Sequence, residues 1–325
     1  MELIKPIVAL LVGFVLLIKG ADFFVDGSSS VAKKLRVPSL IIGLTIVAMG
    51  TSLPELAVSI TASMNNSNAL AISNVIGSNL FNLMVVLGVS AVLNPLVVGK
   101  QVVKKDYPFS VACAILLLVL GWIGMELGRI DGAIFLVIFV GFIVYQVVSA
   151  LNERKKALAG DGTSDSAASD EGDEIKDISL PLSIIFIIGG AAAVKFGGDG
   201  VVYGAKTLAA FFGLSENLIG LTIVAMGTSL PELVTSVVAA KKNELDMAVG
   251  NVVGSNVFNI LMILGFASAV SPITFIFENV IDIIILLAFS LITWIFAFTK
   301  GKLGKLEGAI MLALYAGYVV YICLR

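Results

Sequence analysis

The sequence predicts an all-α membrane protein of ten transmembrane helices, arranged as two inverted five-helix repeats. Three observations carry that expectation: a composition too apolar for a water-facing surface, ten separate apolar segments, and an internal duplication at an offset of 177 residues. Of the 325 residues, 58% are hydrophobic and 14% charged, and the mean hydropathy is +1.04. A soluble domain carries about 25% charged residues. A membrane β-barrel would show alternating segments of about 10 residues instead. The net charge of −2 says little about partners. Membrane lipid is the expected surrounding, and nothing in the chain points to nucleic acid or to an obligate protein partner. The chain has no His, and Cys113 and Cys323 lie far apart in apolar runs, so no disulfide framework or metal-cysteine spacing can be read.

The apolar segments are 6–27, 39–64, 70–95, 108–127, 131–151, 180–203, 217–240, 247–271, 279–298 and 307–324. Each is close to the run of about 20 apolar residues that crosses a hydrocarbon core. The first follows Lys5 and resembles a signal peptide, but 180–203 is its counterpart in the second half, so it is expected to stay as a span. The second and seventh segments share GLTIVAMGTSLPEL, at 43–56 and 220–233. The third and eighth carry polar stripes. Between the fifth and sixth lies 152–178, rich in Gly, Ser, Ala and Asp and free of aromatics, the composition of a flexible cytoplasmic linker. Its acidic run lacks the spacing of an EF-hand loop. The chain divides accordingly into a first half 1–151, the linker 152–178 and a second half 179–325.

Charge sets the expected orientation. With the loop after the first span placed inside, inside segments hold 15 Lys and Arg and outside segments 4, while Lys19 and Lys195 fall within spans. Cytoplasmic loops carry the excess of positive charge, so both termini are expected outside.

Residues 43–95 align with 220–272 without a gap, and 28 of the 53 positions are identical. Upstream, Gly20/Gly197, Asp22/Asp199, Val25/Val202 and Gly27/Gly204 keep the same offset. Five spans per half is an odd number, so the second half must enter the membrane from the opposite side. Inverted repeats of this kind build secondary transporters, with the binding site near the midplane at the repeat interface. Pro54 and Pro231 each remove a helical N–H, and Gly50 and Gly227 loosen the same turns. Thr51, Ser52 and Glu55 stand at i, i+1 and i+4, and are expected to present their oxygens on one side. Thr228, Ser229 and Glu232 repeat the set. The next span in each half adds a polar stripe, Asn74, Ser78 and Asn82, then Asn251, Ser255 and Asn259. Gly77 and Gly254 would allow close helix approach. Carboxylates, hydroxyls, amides and loosened carbonyls are hard oxygen donors suited to Ca²⁺ or Na⁺. Carboxylates inside a membrane are costly and mark functional sites.

GTSLPE followed by GSNLFN, and again GTSLPE followed by GSNVFN, resemble the two alpha-repeats of the calcium/cation antiporter superfamily, in particular the prokaryotic sodium/calcium exchangers. The resemblance implies a transporter rather than an enzyme, moving Ca²⁺ and Na⁺ as cargo with no organic cofactor. It implies side-chain ligands at Thr51, Ser52, Glu55, Ser78, Asn82, Thr228, Ser229, Glu232, Ser255 and Asn259, and carbonyl ligands at Ala48 and Ala225. It also implies that the first and sixth spans form a sliding gate across the other eight. Some relatives, including potassium-dependent exchangers, carry Asp where this chain has Asn259, which argues against potassium co-transport. The GNxxE motif of proton/calcium exchangers is absent. Proton coupling stays open as an alternative, and a cation channel is a weaker one. Asp22, Asp26 and Asp199 also lie in apolar surroundings, where pairing with a neighbouring Lys such as Lys19 or Lys195 is the preferred reading and ion entry the other. FGGD at Phe196–Asp199 resembles the GxGD of intramembrane aspartyl proteases only faintly, because Asp22 lacks the partner motif.

Overall fold

The computed structural model describes residues 3–64, 68–159, 178–212 and 225–324. The stretches 160–177, within the expected linker, and 217–224, which opens the expected seventh span, lie outside the described residues. In chain order the helices are α1 (Ile4–Leu35), α2 (Ser39–Thr51), α3 (Leu53–Met64), α4 (Leu70–Leu93), α5 (Tyr107–Trp122) and α6 (Arg129–Ala159). They continue as α7 (Leu180–Phe211), α8 (Ala225–Gly227), α9 (Leu230–Lys241), α10 (Leu245–Val270), α11 (Phe277–Lys300) and α12 (Lys305–Leu324).

Seven of these are long and apolar enough to cross a membrane among the described residues, and α2 with α3, bent by 47° at their junction, makes an eighth. The expected fourth and seventh spans are not among these eight. α5 has 16 residues and is entered through a π turn at Val102–Asp106. α9 has 12 residues, and most of the segment before it is not described. Three helices overrun their expected ends. α1 and α7 each have 32 residues, about 48 Å at 1.5 Å per residue. The apolar pattern stops early in α1 because Ser28, Ser29 and Ser30 follow, yet all three are buried and helical. Ser30 donates to the Ile178 carbonyl at 3.0 Å, and Ser183 donates to Ser30 at 3.0 Å. α6 runs on to Ala159, so the first residues of the expected linker are helical.

The core is formed by α4 and α10, whose apolar windows are 78% and 89% buried, against at most 39% for any other long helix. α1 and α7 pack antiparallel along their length on a seam of small residues. Gly13, Gly20 and Gly27 recur every seven residues, and Gly190, Gly197 and Gly204 do the same 177 positions later. A Cβ on Gly20 would stand 2.8 Å from the Val194 nitrogen, and one on Gly197 would stand 2.6 Å from the Leu17 nitrogen. Small residues of this kind let helix backbones approach closely in lipid.

Two short antiparallel bridges tie the loops. β1 (Leu96–Val97) pairs with β4 (Lys302–Leu303), and β2 (Glu126–Leu127) pairs with β3 (Ile273–Thr274). β1 and β4 belong to loops that the charge count places on one side, and β2 and β3 to loops that it places on the other. Gly301, at φ 64°, supplies the left-handed turn that ends α11 and leads into β4. β1, β4 and Lys242 lie at the basic end of the molecule.

Candidate functional site

Two helix breaks and two buried helices build the site. The first break falls at Ser52, between α2 and α3, with φ −82° and ψ 5°. Its counterpart falls at Ser229, between α8 and α9, with φ −92° and ψ 6°. In each case the proline lies two residues further on, at the start of the next helix, where its missing N–H costs nothing. α1 and α7 cover the breaks. A Cβ on Gly50 would meet the Phe24 ring at 2.7 Å, and one on Gly227 would meet the Val202 side chain at 2.2 Å.

Glu55 and Glu232 are fully buried, as are Ser52, Ser229, Ser255 and Asn82. Each glutamate is gripped by the serine of the other repeat. Ser52 donates to Glu232 Oε1 at 3.1 Å, and Ser229 donates to Glu55 Oε1 at 3.1 Å. Ser78 approaches Glu55 Oε1 at 3.5 Å and lies 3.0 Å from the Ser229 hydroxyl. This corrects the expectation that Thr51, Ser52 and Glu55 face one side together. The i, i+4 rule needs a continuous helix, and the break at Ser52 turns both hydroxyls toward the other repeat. Thr51 donates to Asn251 Oδ1 at 3.1 Å and lies 3.4 Å from the Ser255 hydroxyl. Thr228 donates to Asn74 Oδ1 at 3.4 Å.

Asn74 and Asn251 serve as braces. Asn74 donates to Ser59 at 3.1 Å and to the Glu55 carbonyl at 3.5 Å. Asn251 donates to Ser236 at 2.8 Å and to the Glu232 carbonyl at 3.4 Å. The Ala48 carbonyl accepts from the Ser52 N–H at 3.0 Å and lies 3.3 Å from the Thr51 hydroxyl. Ala225 opens α8. A Cβ on Gly254 would lie 2.8 Å from the Leu44 carbonyl oxygen, so the close approach expected there is present. The equivalent neighbour of Gly77 is position 221, outside the described residues.

Two residues that the sequence reading passed over complete the centre. Asn79 and Asn256 exchange amides between α4 and α10, each donating to the other's carbonyl at 3.3 Å. Their side-chain oxygens then accept from Asn259 at 3.0 Å and from Asn82 at 3.2 Å. The Asn82 and Asn259 amide nitrogens are thereby occupied, while their Oδ1 atoms accept no hydrogen bond. Glu55 Oε2 and Glu232 Oε2 accept none either. Among the described residues, these four buried acceptor oxygens, in two repeat-related pairs, have no donor. Buried polar atoms are rarely left so, and a set made only of acceptors suits a cation. The signal for Asn79 and Asn256 was present in GSNLFN and GSNVFN, each lying three residues before an asparagine already selected.

Beside this centre a cavity of about 630 Å³ opens toward the end opposite the basic one. Pro54 and Thr61 of α3, Leu70 of α4, Asp199 and Tyr203 of α7, and Thr228 line it. Lys195 and Asp199 sit on its wall, paired at 2.6 Å.

A family model described as "Sodium/calcium exchanger protein" matches residues 5–148 and 182–324. The chain belongs to the sodium/calcium exchanger family. Among family relatives, it is 33% identical over 347 residues to the sodium/calcium exchanger MaX1 of Methanosarcina acetivorans, covering 96% of each protein. It is 35% identical over 305 residues to the membrane protein MJ0091 of Methanocaldococcus jannaschii, covering 94% of each. Its structure is similar to that of the sodium-calcium exchanger NCX_Mj soaked with Na⁺ and Sr²⁺, with TM-score 0.83, 32% identity and 98% of each chain covered. The exchanger family is a family of multi-pass membrane transporters, which is the class that composition and helices require of this chain.

Asp22, Asp26 and Asp199 are paired. Asp199 bonds Lys195 as expected, and Asp22 lies 3.7 Å from Lys19. The larger partner was missed: Lys242, from the end of α9, lies 2.6 Å from Asp26 and 3.5 Å from Asp22. Nothing in the sequence signals that contact, which joins residues 216 positions apart.

Proposed function

We propose that this chain exchanges Na⁺ for Ca²⁺ across the membrane by alternating access. The observation that carries the reading is the set of four orphaned acceptors, Glu55 Oε2, Glu232 Oε2, Asn82 Oδ1 and Asn259 Oδ1. Thr51, Ser52, Ser78, Thr228, Ser229 and Ser255 add hydroxyl oxygens, and Ala48 and Ala225 add carbonyls once their helix turns relax. Asn79 and Asn256 orient the two asparagine oxygens and hold α4 to α10. One Ca²⁺, or two Na⁺, neutralises the glutamate pair. An empty site leaves two bare carboxylates in a low-dielectric centre, which is unfavourable. Loaded forms therefore cross between states and the empty form does not, and this is what couples the two fluxes.

The proposed architecture is ten spans in two inverted halves, 1–151 and 179–325, joined by a cytoplasmic linker at 152–178, with both termini outside a prokaryotic cell membrane. The antiparallel pairing of α1 with α7 supports it, as do the two β-bridges, each of which joins loops assigned to one side. A third Na⁺ on the uncharged oxygens would make each cycle move net charge. The exchange is then electrogenic, and a membrane potential biases it by about 2.3 kcal/mol per charge per 100 mV.

The test is ⁴⁵Ca²⁺ uptake into Na⁺-loaded proteoliposomes, with the potential set by K⁺ and valinomycin. Uptake should need the Na⁺ gradient and rise when the interior is made negative relative to a potential-clamped control if Ca²⁺ influx carries net positive charge, or fall if Na⁺ efflux carries more. Three Na⁺ against one Ca²⁺ predicts the second outcome. Uptake that ignores Na⁺ and follows a pH gradient would select proton coupling, and ion flux without counter-flux would select a channel.

A further inference from the structure

The cavity has a mirror image that is shut. Applying the 177-residue offset to its wall gives the corresponding residues at the basic end. Leu70 is 55% exposed, while its mate Met247 is fully buried. Thr61 is exposed and its mate Val238 is buried. Val202 is half-buried and its mate Val25 is inaccessible. Among the described residues, the same segments of the two halves therefore line an open cavity at one end and pack closely at the other; the Gly43 that packs on Met247 has its repeat mate at 220, outside the described residues.

The charges at the two ends differ in kind. At the open end Asp199 bonds Lys195 one turn away on its own helix, at 2.6 Å, and among the described residues the pair has no ion-pair partner on another helix. At the shut end the tie runs between helices. Lys242 Nζ, just past α9, donates to Asp26 Oδ1 at 2.6 Å and to the Asp22 carbonyl at 3.0 Å, both on α1. The repeat mates of this pair carry no charge: Asn65 corresponds to Lys242, and Tyr203 to Asp26. If these acids needed only a counter-charge near the lipid, Lys19 on α1 would serve Asp22 as Lys195 serves Asp199 on α7. The second lysine, from the other half, does something a local pair does not.

We propose that Lys242, Asp22 and Asp26 form a one-sided latch. It fastens α1 to α9, favours the state whose cavity opens beside Lys195, and has to part before the basic end can open. The inference rests on the alternating-access reading above. An ion pair of this kind counts because it is partly shielded, with the Lys242 and Asp26 side chains 30% and 15% exposed. A tie made in only one of two states shifts their populations, and the sequence allows it at one end only.

The experiment starts from a chain without cysteines, carrying a single probe at Thr61→Cys or Val238→Cys. Reaction with a membrane-impermeant maleimide is timed from each side of the membrane. Lys242→Asn restores the residue of the repeat mate. It should slow labelling at position 61 and speed labelling at position 238 from the basic end, by about threefold or more each. Lys242→Asp combined with Asp26→Lys should return both rates toward the parent. Asp26→Asn removes the same bond from the other partner, and carries the test should Lys242→Asn fail to fold. Unchanged rates at both probes overturn the latch, and so does a rise at both, which would mean general loosening. Na⁺-driven ⁴⁵Ca²⁺ uptake in the same vesicles separates the two ideas. Opposite labelling shifts without any exchange in the parent would remove the exchanger reading and leave the latch. Intact exchange with unmoved labelling would do the reverse.

Discussion

At the centre of the molecule, residues 177 positions apart do the same work; toward its ends, they do not. Ser52 holds Glu232 and Ser229 holds Glu55 at the same 3.1 Å. Asn79 and Asn256 reach each other's carbonyls at the same 3.3 Å. Farther out, Leu70 faces a cavity while Met247 is buried. The difference separates two demands on one duplicated sequence. A binding site shared by two states must be the same from both sides, so its residues stay matched in identity and in bonding. The routes to it must never be open together, so their residues are matched in position and opposite in exposure.

The largest effect should come from breaking the matched centre. Glu55→Gln or Glu232→Gln removes half of the charge that a Ca²⁺ needs, and breaking a buried charged set costs about 3–5 kcal/mol. Ca²⁺ uptake should fall by more than about 100-fold in either variant, with an unchanged elution profile in detergent. A wild-type rate in one of the two would end the claim that the halves contribute equally. Next comes the seam between α1 and α7. Gly20→Val and Gly197→Val place a branched side chain where a Cβ already stands within 2.8 Å and 2.6 Å of backbone nitrogen. Overpacking of this kind costs about 1–3 kcal/mol. Both variants should melt earlier in a thermal-shift assay, by similar amounts. A drop in only one would show that the seam is not symmetric.

Much of this centre could be read without coordinates. Letter-for-letter repetition of GLTIVAMGTSLPEL put a glutamate and a proline in apolar surroundings twice, and that pointed to the site. The reading erred where it needed geometry across a break. It kept Thr51, Ser52 and Glu55 on one helical face, whereas the turn at Ser52 sends the two hydroxyls to the other repeat. It also ended the first span near residue 27, because a run of serines reads as polar, although Ser28–Ser30 are buried where α1 meets the start of α7. Lys242 was beyond reach for a different reason. A pair joining residues 216 apart leaves no local pattern, and its repeat mate, Asn65, has no charge to betray it.

The amide exchange allows a finer cut through the centre. Asn79→Ala frees the Asn259 nitrogen and breaks the bond to the Asn256 carbonyl, and Asn256→Ala does the same for Asn82 and Asn79. A lost hydrogen bond is worth about 1 kcal/mol, and 1.4 kcal/mol is about tenfold. Each variant should weaken the apparent affinity for Ca²⁺ about tenfold in uptake assays, and the double variant should fall well short of 100-fold, because the two side chains lie side by side in one contact between α4 and α10. Multiplying effects would mean that the two asparagines act separately.

The smallest expected effect tests the comparison most directly. Thr51 is buried, and its hydroxyl donates to Asn251 at 3.1 Å; Thr228 is half-buried, and donates to Asn74 at 3.4 Å. If that inequality belonged to the residues, Thr51→Ala would always be the more damaging change. If it belongs to the state, the two threonines trade environments in every cycle, since the opening of one end is the closing of the other. Each alanine then removes one hydrogen bond in one half of the cycle, about fivefold at about 1 kcal/mol. Maximal exchange rates should fall by similar factors in the two variants. The affinity changes should appear on opposite faces: Thr51→Ala in Ca²⁺ titrated from one side of the vesicle, Thr228→Ala in Ca²⁺ titrated from the other. Affinity losses on the same face in both variants would mean that the two repeats never exchange roles, and alternation between mirror-related states would have to be abandoned.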